Sequence, residues 1–433
     1  MMTVEAQGRK RTAELACVNS EMWFSNRGAA DDAIATLSQT SALDAPAYHL
    51  LGLAYYCLGE YETAIEQFSR AIDLDKTNLI YYTSRIRVYI TLEDYPLALS
   101  DIEQLLAVDP QNAVAYNYRG WVALLQEDYD SALDDLDQAI TLAPDYAEAY
   151  KNRAKVYAAL NEYDRALTDF DTAVELDADN PDYLYERGRF YLIWSEFDRA
   201  YDDFDDAIQL RDNDFRYWNN RAIASQGLGN YEDSLADLDE ALSLAPEQVI
   251  IWQNRGYTHF YLGNYQACID DYTQAIRMDE TKWASWNNRA LCYDELEDYE
   301  LAYEGFGQAL RLIGVDRVLV LRNRGNTLAA MGRYDEALSD FNEAVRLSPD
   351  LAYLWNDRGT VYDMMGNYEQ AIEQYSEAIR LDPTLAISYR NRGYAYRNLG
   401  DYESAADDFE VYLALDPDYE FADDLRNLIE EGR

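Results

Sequence analysis

VIIWQNRGYTHFYLGNYQACIDDYTQAIRMDETK, residues 249–282, places two stretches of helical apolar period on either side of Leu262-Gly263-Asn264-Tyr265. Glycine tolerates the left-handed backbone that closes a helix, so the stretch reads as helix, tight turn, helix. The second stretch stops where other copies carry proline, at Pro110, Pro144, Pro246, Pro349, Pro383 and Pro417. Proline lacks the N–H that a continuing helix needs. The same word returns in both directions. The aromatic that opens its second half stands at Tyr61, Tyr95, Tyr129, Tyr163, Phe197, Tyr231, Tyr265, Tyr299, Tyr334, Tyr368 and Tyr402, a spacing of 34 with one slip to 35 after Tyr299. Eleven copies therefore fill residues 45–419. A fixed period of this length means identical helical units stacked in a line, each touching only its neighbours. Such a stack builds a long surface, whereas a catalytic site needs unlike groups converging on one point. Five copies carry Glu93, Glu127, Asn161, Ser195 or Glu297 in place of the turn glycine, which reads as a turn that needs less backbone freedom.

Within each copy small residues recur where two helices must approach. Gly52, Gly120, Ala154, Gly188 and their equivalents mark the first helix; Ala64, Ala98, Ala132, Ala166 and theirs mark the second. Large residues fill the spaces between copies: Trp218, Trp252, Trp286 and Trp355 on first helices, Phe170, Phe204, Phe306, Phe341 and Phe409 on second helices. Small against small with large into the gap is how ridges and grooves interlock at short distance.

The pattern W-x-x-[RL]-[GA]-x-x-[YA], then G-x-Y-x-x-A, then F-x-x-A, then P resembles the tetratricopeptide repeat family over residues 45–419, nearly the whole chain. The resemblance implies an all-α, right-handed superhelical solenoid of antiparallel helix hairpins, with first helices lining a concave groove. It also implies a non-catalytic protein that binds peptides, extended segments or other proteins. The expected organisation is a tail over 1–10, a degenerate helix pair over 11–44, the repeats, and a capping helix over 420–433 on which Phe421, Leu425, Leu428 and Ile429 share one face. Two departures should leave local marks. Ile86 and Leu105 overfill places that are small in nearly every other copy, which predicts a shift in the second unit. The extra residue near Ile313-Gly314-Val315-Asp316 should be absorbed in the loop between the eighth and ninth units.

Two ladders run through the copies. Arginine precedes the small residue at Arg85, Arg119, Arg153, Arg187, Arg221, Arg255, Arg289, Arg324, Arg358 and Arg392, and sixteen residues later eight of those ten copies have aspartate. The joint occurrence points to a structural ion pair between helices, bidentate because guanidinium and carboxylate match. One position before the arginine stands asparagine: Asn152, Asn220, Asn254, Asn288, Asn323 and Asn391. An amide donates and accepts, so a row of them can bracket an extended peptide backbone without reading its sequence. That row is similar to the asparagine ladder lining the groove in some members of the family. Trp121, Tyr257, Phe260, Tyr261 and Tyr394 would offer stacking beside it. Elsewhere in the family a Lys and Asn clamp grips terminal carboxylates. Arg322 and Asn326 come nearest to it, but Asp357 stands where the clamp needs asparagine.

With 36 basic and 81 acidic residues the formal charge is −45, which disfavours nucleic acid and anionic membranes as partners. The 66 positions that the family pattern turns toward the groove hold seven acids and eight bases, where the chain average predicts about twelve acids. The acidity therefore belongs to the outer face. No apolar run is long enough to span a bilayer, and the first residues do not read as a signal peptide. Cys17, Cys57, Cys268 and Cys292 are scattered; Cys268 reads as a buried filler where most copies have alanine, and a reduced, cytoplasmic setting is expected. His49 and His259 lie about six copies apart, and no nucleophile elbow, zinc-protease or phosphate-loop motif occurs. No catalytic residue, metal or cofactor is expected. The sequence thus reads as a protein–protein interaction scaffold. The alternatives are a structural subunit of a larger assembly or a regulatory subunit acting on an enzyme in trans.

Overall fold

The computed structural model describes residues 27–38 and 43–431. The expected tail, the part of the degenerate pair before residue 27, and Cys17 lie outside them. Among the described residues there are 24 α-helices and no strand. The chain divides into two compact units, Met1–Leu228 and Gly229–Arg433. The first holds the helix Arg27–Leu37, five complete hairpins from Ala45–Leu58 to Phe197–Leu210, and the first helix of the sixth repeat, Phe215–Gly227. The second begins with the second helix of that repeat, Tyr231–Leu244, continues through five hairpins, and ends with the helix Ala422–Glu431.

Each hairpin is built in the same way. The first helix stops at a residue in the left-handed region, with φ between 72° and 78° at Gly229, Gly263, Gly332 and Gly366. Glu93, Glu127, Asn161, Ser195 and Glu297 take the same conformation, with φ of 58–62°. The expectation that these turns need less freedom is therefore corrected. The backbone geometry is unchanged, and five ordinary side chains sit where an L-residue is strained by Cβ against its own carbonyl. Glu93→Gly or Glu297→Gly should accordingly raise stability by roughly 0.5–1 kcal/mol, read as a shifted denaturation midpoint; an unchanged midpoint would deny the strain.

The small residues are small for cause. A Cβ placed on Gly188 would lie 2.8 Å from the Phe204 ring, and one on Gly393 would lie 2.6 Å from Phe409. Phe170, Phe204, Phe306, Phe341 and Phe409 of the second helices are buried. The four tryptophans are not: they are half-buried, and each indole Nε1 donates to a carbonyl six residues earlier, at 2.7–3.0 Å, in the loop from the previous repeat. They pin loops, and Trp218, Trp286 and Trp355 also pack against the core from its edge, as expected. In the second repeat Ile86 and Leu105 are buried at the crossing, and its two helices run less close together than those of the other hairpins in the unit. The extra residue shortens the helix Tyr299–Ala309 and is taken up in the loop after it, where Gly314 has φ 73° and Ile313 faces solvent. On the last helix Leu425 is buried and Leu428 and Ile429 pack beside it, whereas Phe421 is exposed and meets the edge of Tyr419.

Cys268 is fully buried in the core, as its reading as a filler expected, but it does not stand alone. The second helix of the seventh repeat and the first helix of the eighth bring it together with Cys292 as a disulfide, Cα atoms 6.3 Å apart.

Candidate functional site

The arginine ladder lies between helices. In seven copies Nε and one Nη donate to the two oxygens of the aspartate sixteen residues on, at 2.6–2.9 Å. The other Nη reaches back sixteen residues to the preceding second helix, as in Arg153 to Asp137 at 2.6 Å, Arg187 to Asp171 at 2.7 Å and Arg255 to Asp239 at 2.6 Å. The guanidinium also lies over the aromatic ring three residues before it, 4.9 Å from the Trp252 ring centre in the case of Arg255. One side chain thus ties its own hairpin shut and fastens it to the previous one. Burial raises the Asp203 and Asp408 carboxyls above their ordinary range even though Arg187 and Arg392 pull them down. Desolvation therefore offsets much of the attraction. Arg358 has Gln374 in place of aspartate, and Arg289 has Gly305, which leaves its buried Nε without a partner.

The functional question turns on the other face of the first helices. Within each unit successive first helices touch one another, while successive second helices make no comparable contact. First helices therefore form the inner wall of each unit. The expected asparagine row runs along it, but its amides bond across it. Asn152 donates to Asn117 at 2.9 Å, Asn323 to Asn287 at 3.0 Å and Asn391 to Asn356 at 3.2 Å. Each pair links one repeat to the next. His49 and Ser84 do the same between the first and second repeats at 2.8 Å. Asn152 is 2% exposed, its amide is spent on Asn117, and it borders the recess beside Trp121. Asn288 donates to the Tyr272 hydroxyl at 3.1 Å, and Asn220 to the Arg216 carbonyl at 2.8 Å. These asparagines, with Asn254, are half-buried. The partner row Asn117, Asn287 and Asn356 went unnoticed, although it sits one residue before the other at the same spacing.

His49 offers a pH test of these clasps. Burial lowers its pKa to about 4. A group whose folded pKa is depressed stabilises above its unfolded value, about 6.5, and that stability is lost as pH falls toward 4. Amide protection in the first two repeats should weaken across that window in the native chain. His49→Asn should remove the pH dependence, and its persistence would point to another group.

The aromatic residues separate by unit. In the second unit Tyr257 and Tyr261 are 39% and 52% exposed, with ring centres 4.6 Å apart, and Tyr261 stacks on Tyr231 at 5.0 Å and 8°. Burial, then the hydrogen bond to Tyr261, hold the Tyr257 phenol well above its usual range. Tyr394 is half-buried, its ring meeting the edge of Phe409, so less of it is available than expected. Arg322, the nearest approach to a carboxylate clamp, is paired with Asp357 at 2.5 Å.

In the first unit Trp121 is half-buried and belongs to a row at intervals of 34: Arg87, Trp121, Lys155 and Arg189. It lines a recess of about 340 Å³ with Arg87, Lys151, Lys155, Glu186 and Arg216. Lys151 donates to Glu148 at 2.5 Å and Lys155 to Glu186 at 2.6 Å. Burial would raise both glutamates, but the Lys151 and Lys155 ammonium groups outweigh it and both end below the ordinary range. A second recess of about 340 Å³ adjoins it through Lys155 and Glu186, and is floored by Phe170 and Phe190 and rimmed by Ile193 and Trp194. Arg87, Lys151, Lys155, Arg189 and Arg216 are among the eight bases counted on the groove positions, whereas the apolar neighbour escaped sequence reasoning, although Trp194 is the one tryptophan in a row of leucine, methionine and glutamine.

Family models described as tetratricopeptide repeat match residues 45–78, 83–147, 147–180, 215–248, 249–282, 284–314, 316–384 and 356–420. The chain belongs to the tetratricopeptide repeat family. No curated protein sequence matches it. Among solved structures it is similar to a tetratricopeptide repeat protein from Parabacteroides merdae, at 20% identity over 58% of this chain and 98% of that one, TM-score 0.49. It is also similar to the APC/C hetero-tetramer Cut9–Hcn1, at 15% identity over 100% of this chain and 96% of that one, TM-score 0.47. Yeast Tom70 gives 16% identity over 90% of this chain and 95% of that one, TM-score 0.46. These likenesses concern the fold alone. Tetratricopeptide repeat proteins generally bind protein partners, and the repeat architecture here is that of an interaction scaffold.

Proposed function

We infer that this tetratricopeptide repeat protein is a non-catalytic scaffold that holds an extended segment of a partner protein against the inner walls of its first helices. The observation that carries this reading is the Tyr231–Tyr257–Tyr261 cluster. Large aromatic side chains stand half exposed on a helix whose other faces are packed, and tyrosine gives broad contact at low entropic cost. The amides of Asn288, Asn323 and Asn391 on that wall are engaged between repeats, so aromatic and charged side chains supply the grip. Nucleic acid and membrane are poor partners for a chain of formal charge −45. The test is affinity capture by the full chain, compared with the double variant Tyr257→Ser, Tyr261→Ser. Both rings are exposed enough that the fold should hold, as circular dichroism would verify. A partner lost from the variant supports the wall as the binding surface, and an unchanged set of partners rejects it.

A further inference from the structure

The arginine ladder fastens hairpin to hairpin, and at one junction its hold is weak. Nine of the ten ladder arginines reach a carboxylate or an amide oxygen. Arg289 reaches neither. Its Nη1 donates to the Thr273 hydroxyl at 3.1 Å, and its Nε, which in other copies meets aspartate, is buried without a partner. Thr273 lies on the second helix of the seventh repeat and Arg289 on the first helix of the eighth. The four preceding copies place Asp137, Asp171, Asp205 and Asp239 where Thr273 stands, and each takes its arginine across the corresponding junction.

The disulfide between Cys268 and Cys292 joins the same two helices across the same junction. Its Cα separation of 6.3 Å lies within the span that a disulfide bridges without backbone movement. Other copies fill these two places with alanine, as at Ala302 and Ala337, and with valine, as at Val122 and Val156, so packing alone calls for no sulfur. A covalent tie therefore stands where the ionic one has gone. The two differ in one respect: thiols can undo only the first.

We propose that Cys268–Cys292 is a redox-operated clasp that replaces the missing ion pair between the seventh and eighth repeats, and that a dithiol reductant releases it and loosens the wall bearing Tyr257 and Tyr261. One thiolate of the dithiol attacks a cysteine Sγ and expels the other as thiolate; its second thiol then resolves the mixed disulfide. Two electrons and two protons pass to the cysteines, and the reductant leaves as its own disulfide. Both cysteines are fully buried, so attack waits on local opening of the junction. Hydrogen bonds that still span it after release, Asn288 to Tyr272 at 3.1 Å and Gln253 to Ser285 at 2.7 Å, end on uncharged oxygens. Tyr272 packs against Gly256, the neighbour of Tyr257, so slack at the junction reaches the aromatic cluster. That last step rests on the scaffold reading above; the clasp itself does not.

The experiment compares hydrogen exchange of the oxidised chain and the chain held in dithiothreitol, with iodoacetamide labelling and mass spectrometry to count thiols at Cys268 and Cys292. Amides of Tyr265–Met278 and Trp283–Glu295 should exchange about tenfold faster once reduced, while those of Tyr368–Leu381 stay unmoved. The double variant Cys268→Ala, Cys292→Val should match the reduced chain in either condition. Thr273→Asp should make the native chain indifferent to dithiothreitol, because Arg289 regains a carboxylate across the junction; a disulfide that merely staples the core would gain nothing from it. Free thiols at both positions before reduction overturn the proposal. Unchanged exchange after complete reduction does the same, as does a folded Thr273→Asp chain that remains as sensitive as the native one. Partner capture should fall on reduction of the native chain; capture that ignores reduction while exchange responds overturns the coupling to the wall. Partners unmoved by Tyr257→Ser, Tyr261→Ser reject the scaffold reading and leave the clasp, which is read from exchange, standing.

Discussion

Asp169→Ala is expected to destabilise the fourth and fifth repeats by about 3 kcal/mol, the low end of the range for removing one partner of a buried ion pair. Asp169 is nearly fully buried and receives Nε and one Nη of Arg153 at 2.7 and 2.8 Å. Taking the carboxylate away leaves a guanidinium among helices with its remaining bond to the exposed Asp137. That residual bond is why the expected loss stays at the low end. The double change Arg153→Met, Asp169→Leu should behave differently, falling within about 1 kcal/mol of the native chain, because it removes both desolvation costs together. Global melting is a poor readout in an array that need not unfold in one step. Hydrogen exchange of the amides in those two repeats reads the local free energy directly. Should the single variant shift protection no more than the double one, the arginine ladder is not what closes the hairpins.

Asn152→Ala should cost about 1–3 kcal/mol, at a position that also borders the recess beside Trp121. The loss leaves the Asn117 carbonyl oxygen, buried and previously paired at 2.9 Å, with no donor. In the second unit Asn323→Ala should act in the same way on Asn287, less strongly because Asn323 is half-buried. These variants separate two roles for one row of amides. If the asparagines hold successive first helices together, protection falls at the junction while a captured partner is kept at temperatures where the chain remains folded. If they hold a partner's backbone, capture fails first and protection is unmoved.

The legible part of this molecule is the part that repeats. The hairpins, their small crossings and the Arg–Asp pairs recur with the period, so eleven copies of one sentence made each of them readable. The sixteen-residue offset between Arg153 and Asp169 is a distance inside one hairpin, and a single copy predicts it. The asparagine clasp was misread because it joins residues about 35 apart, in different copies, and its second member shifts by one place from the first. Periodicity shows that a row exists but not whether it faces solvent or its own neighbour. The cations of the first unit were counted singly among the groove bases, but their grouping was hidden for the opposite reason. Arg87, Trp121, Lys155 and Arg189 differ in type, so a search for identical letters passes over them, and only shared placement on one wall makes them a site. The turns at Glu93 and Glu297 show a third limit. Residue type suggested relaxed geometry, but the neighbouring helices dictate φ, and the side chain accepts strain.

The eighth repeat gathers three weaknesses in one hairpin. Its arginine, Arg289, has no carboxylate because Gly305 occupies that place; its second helix, Tyr299–Ala309, is shorter than the others; and an additional residue loosens the loop leading to the ninth repeat. A chain pulled from its ends, or warmed slowly, should tear there before anywhere else in the second unit, and a protease would find its earliest foothold beside Ile313. That would make this hairpin a built-in fault line, from which the flanking repeats separate as intact fragments.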